Sequence, residues 1–231
     1  MIRRAALYYI IWALLAAPSA KAANCALALA FALDVSASVN SAEYDIQKGG
    51  LAAAMRDLEI REAILIDPGA VWFLAYEWSA SLQQVVIQDW AQMRDADDID
   101  RFASALDRHQ RQFGRSSTAL GQALAFGMKQ FAALPTICDR QVIDVSGDGV
   151  NNDGVAPDAL RGAGRLSEFT VNGLVIAGAT PNPVPYYREK VITGSDAFMM
   201  VARNGFEDYP DLIKGKLLKE LRPPLFIGDA R

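Results

Sequence analysis

The sequence has a single histidine, His109, among its 231 residues. A Ser-His-Asp hydrolase would need that one residue as its base, and no Gly-x-Ser-x-Gly elbow is present to carry the serine. No Gly-x-Gly-x-x-Gly follows the first strand-like run, so a dinucleotide site lacks its fingerprint. Lysine and arginine number 23 against 27 acidic residues and form no cluster, which argues against nucleic-acid binding. Two cysteines are too few for a disulfide scaffold, and there is no internal repeat or low-complexity tract. What the chain does have is length and apolar content, 52% hydrophobic, enough for one large globular domain that folds without extra staples.

Residues 1–22 read as a secretory signal peptide. Arg3 and Arg4 precede an apolar run from Ala5 to Ala17, and Ala20-Lys21-Ala22 offers a small-x-small cleavage site. The run is shorter than the roughly 20 residues that a membrane span requires, and no second long run follows, so the mature chain has no expected span. Cleavage after Ala22 removes three of the 23 basic residues and no acid, moving the formal charge from −4 to −7. Cys25 lies close to this point, but Asn24 stands where a lipid-modified cysteine wants a small residue, which argues against a lipoprotein. The expectation is a secreted, periplasmic protein.

From residue 23 onward, short apolar runs alternate with helix-period stretches. Ala26–Leu33 is unbroken apolar sequence, as in a strand buried on both faces of a parallel sheet. Val71–Tyr76, a short Val85–Ile87, Val142–Val145, Val171–Ile176 and Phe198–Ala202 supply five more strands. Asn40 and Glu43 form a capping box ahead of Leu51, Met55 and Leu58. Ile99, Phe102, Ala103 and Leu106 mark an amphipathic helix, as do Leu120, Leu124, Met128 and Phe131, a segment through Leu160 to Leu166, and Ile213, Leu217 and Leu221. The alternation implies an α/β fold, doubly wound, with a mostly parallel sheet of about six strands and helices on both faces.

In such a sheet, ligands bind beyond the carboxyl ends of the strands where the strand order reverses. Asp34 directly follows the first strand within Asp34-Val35-Ser36-Ala37-Ser38, and Asp148 follows the strand through Val145. Thr118 lies at the start of a helix, with its hydroxyl able to face the same crevice. Asp-x-Ser-x-Ser alone is a weak signal, since helix caps and turns use the same residues. Together with Thr118 and Asp148 it is fairly specific for a hard, magnesium-like ion held by oxygen. Asn151, Asn152 and Asp153 either extend that coordination or form a turn. Asp144 is an acid inside an apolar strand, read as pairing with an arginine or capping a water near the site.

Asp34-x-Ser36-x-Ser38, Thr118 before Leu120-Gly121, and Asp148-Gly149 after a hydrophobic strand resemble the von Willebrand factor A domain. The resemblance runs from about Ala26 to Leu221 and implies one such domain over residues 23–231, with a short C-terminal extension. In that family these three loops form the metal-ion-dependent adhesion site, usually holding magnesium. The resemblance implies that Ser36, Ser38 and Thr118 touch the ion, and that Asp34 and Asp148 do so directly or through water. The family usually has Ser or Thr immediately before Asp-Gly, whereas Gly147 intervenes here between Ser146 and Asp148. The secretion signal and Ser146-Gly147-Asp148-Gly149-x-Asn151-Asn152 resemble a bacterial branch of secreted members, DUF1194-like.

The resulting expectation is a binding module rather than an enzyme. Neutral hydroxyl ligands leave the ion a net positive charge and an appetite for a carboxylate from a partner protein. Oxygen-only ligands favour magnesium, with manganese as the alternative, over zinc. Competing readings are a magnesium-dependent hydrolase and a structural module whose metal site is idle; His109 reads as structural or solvent-exposed. Cys25 lies nine residues before Asp34, and Cys138 ten before Asp148. If the two acids top adjacent parallel strands, the cysteines meet at the bottom, and export permits a disulfide between them. The proline-rich segment Gly178–Tyr187 should leave the same end of the sheet as the ion, placing Tyr186 and Tyr187 where a partner would dock.

Overall fold

The structure, a computed structural model, describes residues 25–222; the expected signal peptide (residues 1–22) and the end of the expected C-terminal extension lie outside the described residues. Its first strand, β1 (Cys25–Asp34), sets the architecture. Leu27, Leu29, Phe31 and Leu33 alternate with Ala28, Ala30 and Ala32, and all seven are buried. Successive side chains point to opposite faces, so the large residues enter one core layer and the alanines the other. Both faces are apolar, so β1 must be central.

The remaining strands are β2 (Val71–Trp78), β3 (Gln84–Gln92), β4 (Cys138–Gly147), β5 (Thr170–Ile176) and β6 (Met199–Ala202). They form one six-stranded sheet in the order β3-β2-β1-β4-β5-β6. Every pairing is parallel except that of β3 with β2. The antiparallel edge strand is nine residues long, well beyond the expected Val85–Ile87, and only partly buried. Half-exposed residues such as Gln84, Gln88 and Gln92 hid its ends from an apolar-run reading.

The helices are α1 (Ser41–Arg56), α2 (Leu58–Leu65), α3 (Ala96–Arg108), α4 (Leu120–Phe131), α5 (Pro157–Gly162), α6 (Pro183–Tyr186) and α7 (Tyr209–Leu221). Residues of α1, α2, α3 and α7 pack on the large-residue face of β1. Those of α4, α5 and α6, with a π-helical turn over Tyr187–Val191, pack on the alanine face. The sequence did not announce α2: Asp57 leaves helical geometry to end α1, then caps α2 by accepting from the Glu59 amide. The α5 helix stops at Gly162 instead of running to Leu166, and Gly164 turns the chain in a left-handed conformation. The proline-rich segment is irregular over residues 178–182 and then turns helical, because Asn182 caps α6 and Pro183 sits in its first turn, where a missing N–H costs nothing.

Cys25 and Cys138 are paired positions at the starts of β1 and β4 and are joined by a disulfide, with Cα atoms 4.4 Å apart. At the opposite end the chain from β1 leads to β2 on one side, while β4 lies on the other. That reversal opens a crevice beyond Asp34 and Gly147.

Candidate metal centre

Three loops meet in this crevice. In the first, Asp34 Oδ1 accepts the Ser36 amide at 2.7 Å, and the Ser36 and Ser38 hydroxyls lie 3.3 Å apart. Ser38 donates to Asp148 Oδ1 in the third loop at 2.6 Å. In the second loop, Thr118 packs against Gly149, where a Cβ would lie 3.3 Å from its hydroxyl oxygen. All five expected residues are therefore brought together. Asp34, Ser36, Thr118 and Asp148 are buried, and Ser38 is exposed at the mouth. None of the first-loop residues serves as a helix cap, because Asn40 and Glu43 form the capping box of α1 themselves.

Side chains outside the motif hold the loops. Arg111 donates to the carbonyls of Val35 (2.6 Å) and Val39 (2.7 Å) and, at 3.2 Å, to that of Ser36, which also accepts the Val39 amide within the turn. Gln47 of α1 donates to the Asp34 carbonyl and accepts from Ser146. The Asn151-Asn152-Asp153 run acts as stitching. Asn152 and Thr118 exchange two hydrogen bonds, Asn151 accepts from the Gly121 amide, and Asp153 accepts from the Ser81 amide and the Ser117 hydroxyl. Gly121 admits no side chain, since a Cβ would lie 2.0 Å from the Val155 carbonyl oxygen.

The electrostatics are one-sided. Burial, and next the Asp148 charge, push the Asp34 carboxyl up to about 7. Burial likewise raises Asp148. Among the described residues, neither acid has an ion-pair partner, and Asp34 Oδ2 accepts no hydrogen bond. Two buried carboxylates with three hydroxyls and no internal cation form a donor set suited to a hard divalent ion.

Two expectations change here. Tyr187 is fully buried on the alanine face, so it presents nothing to a partner; only Tyr186 remains partly exposed. The helical conformation of the segment turns Tyr187 inward, which composition could not reveal. Asp144 meets neither an arginine nor the candidate site. It lies 2.6 Å from the Lys216 ammonium on the other face of the sheet. His109 is structural: its Nε2 lies 2.9 Å from Glu77, which is fully buried.

A six-stranded α/β sheet with this three-loop crevice defines the von Willebrand A class of fold, and solved structures agree. The chain resembles a von Willebrand factor type A protein from Catenulispora acidiphila (TM-score 0.60, 15% identity, covering 85% of this chain and 43% of that one). It also resembles proximal thread matrix protein 1 of the mussel byssus with a zinc-occupied metal-ion-dependent adhesion site (0.59, 15%, 86% and 47%). A third is the pilus adhesin SpaC from Lactobacillus rhamnosus GG in an open conformation (0.62, 11%, 85% and 30%). The chain spans less than half the length of each of these proteins, and at these identities the likeness establishes the fold. The chain belongs to the family described as Protein of unknown function (DUF1194), whose model matches residues 24–225. No curated protein sequence matches it. No described helix is long and apolar enough to cross a membrane.

Proposed function

We propose that the protein is an exported, divalent-ion-dependent binding module that recognises an acidic group of a partner protein and performs no turnover. The observation that carries this reading is the convergence of Asp34 and Asp148 with three hydroxyls and no internal cation. Asp34, Ser36, Ser38, Thr118 and Asp148 would hold the ion, and bound magnesium supplies a Lewis-acidic position for a carboxylate. Ser38, exposed at the mouth, lies on the side from which a partner approaches. Beside it runs an open groove lined by Ala37, Asn40, Arg111, Phe113 and Arg115, with two arginines and no acid. Its charge suits an acidic partner, against the negative charge of the chain as a whole.

The Cys25–Cys138 disulfide supports an oxidising compartment, and with the signal peptide we assign the periplasm. The zinc-occupied site of the mussel protein makes metal choice a question for titration, and the oxygen-only donors here favour magnesium or manganese. Calorimetry with magnesium on the wild type and on Asp34→Ala, Thr118→Ala and Asp148→Ala tests the reading. Binding in the wild type and its loss in the variants is expected. Equal heats in all four proteins would remove the ion from this site.

A further inference from the structure

Gly147 stands directly before Asp148-Gly149, where the von Willebrand A pattern has Ser or Thr, and the structure gives a reason. A Cβ on Gly147 would lie 2.6 Å from the Tyr187 hydroxyl oxygen and 2.7 Å from Asp34 Oδ2. No side chain fits there, because those two oxygens already hold the space. They are no farther apart than the sum of the two distances. Both are buried, and neither has a hydrogen-bond partner among the described residues. A second glycine borders the tyrosine ring: a Cβ on Gly173 in β5 would lie 2.9 Å from Ile192 Cδ1 and 3.3 Å from Tyr187 Cδ1. Glycines on two neighbouring strands thus adjoin one tyrosine, whose hydroxyl and an unpaired carboxylate oxygen flank the same Gly147 position.

An unpaired buried hydroxyl is destabilising, and phenylalanine would fill the same volume without that cost. Asp34 Oδ1 is fixed by the Ser36 amide, while Oδ2 has no hydrogen-bond partner among the described residues. Groups that hydrogen-bond a metal ligand from behind fix its orientation. We propose that Tyr187 is a positioning residue of the metal centre, its hydroxyl donating to Asp34 Oδ2 in the cation-loaded protein and holding that carboxylate in place.

This inference rests on the metal reading above, and Tyr187→Phe separates the two. Magnesium titration by calorimetry is run beside thermal melts in EDTA and in magnesium, on the wild type and the variant. Without cation, Tyr187→Phe should melt at or above the wild-type temperature, because it removes only an unpaired hydroxyl. With cation, its magnesium affinity should fall about tenfold and the magnesium-induced rise in melting temperature should shrink. A purely structural tyrosine would not move the two melts in opposite directions. Wild-type affinity in the variant would overturn the inference while leaving the metal reading intact. A variant that unfolds, or melts early in EDTA, would also overturn it, by placing the hydroxyl's partner in the cation-free fold. Absence of binding to the wild type would overturn the metal reading, and the inference with it.

Discussion

Asp34 and Asp148 form one pair of buried acids, and Asp144 and Glu220 form another on the opposite side of the sheet. The second pair has its counter-charge within the chain. Lys216, fully buried, lies 2.6 Å from both of its carboxylates, and Asn172 donates to Glu220 Oε1 at 2.9 Å. Asp144 is still pushed up to about 7, by burial first and the Glu220 charge second, since one ammonium serves two acids. The first pair has hydroxyls and amides around it but no ammonium or guanidinium within ion-pair distance among the described residues. It opens to solvent at Ser38. Taking carboxylates out of water demands a counter-charge. Where the chain supplies one, the cluster ties α7 to β4 and β5; where it does not, the carboxyls hold their protons to higher pH or, in the proposed function, take a cation from outside.

Removing the internal cation should have the largest effect. Lys216→Met leaves Asp144 and Glu220 buried together without a counter-charge and should cost about 3–5 kcal/mol in urea unfolding. The open pair should respond in the opposite sense. In EDTA at pH 8, Asp34→Asn removes an unbalanced charge and should stabilise the fold by about 1–3 kcal/mol, at roughly 1.4 kcal/mol per pH unit of the raised carboxyl. The same variant should lose the stabilisation that magnesium gives the wild type.

The pH dependence follows from the same carboxyls. Unfolded, Asp34 and Asp144 release their protons near 3.8; folded, they hold them to about 7. Between those values the folded chain binds more protons, so the stability of the cation-free protein should fall as pH rises through that window. Magnesium should flatten the Asp34 share of the slope and leave the Asp144 share, which denaturant melts at successive pH values can separate. The smallest effect should come from the stitching: Asn152→Ala, which removes the side-chain acceptor of the Thr118 amide, should cost about 1 kcal/mol and weaken magnesium binding without disturbing the Lys216 cluster.

Much of this arrangement was legible in the sequence. The apolar run of β1, the capping box of α1 and the order of the three loops placed the acids at the sheet's reversal point, and parallel strands carried the cysteines to its far end. The supporting residues were harder to see because each is polar on an otherwise apolar stripe. Gln47 falls with Tyr44 and Leu51 on the buried face of α1, and Lys216 and Glu220 fall with Ile213 and Leu217 on that of α7. Those interruptions, read beside Asp144, were the available signal for a buried charge cluster. Arg111 and Tyr187 left no such mark. One satisfies loop carbonyls and the other turns inward on a short helical segment, and both depend on tertiary contacts that no local pattern encodes.

The proposed function requires that the Asp34–Asp148 pair take an external cation and that the Asp144–Glu220 pair take none. Anomalous X-ray scattering from crystals of the protein soaked in manganese tests it most directly. One anomalous peak is expected within bonding distance of Asp34, Ser36, Ser38, Thr118 or Asp148, and none beside Lys216. A peak beside Asp144 and Glu220, or none at the crevice in fully soaked crystals, would contradict it.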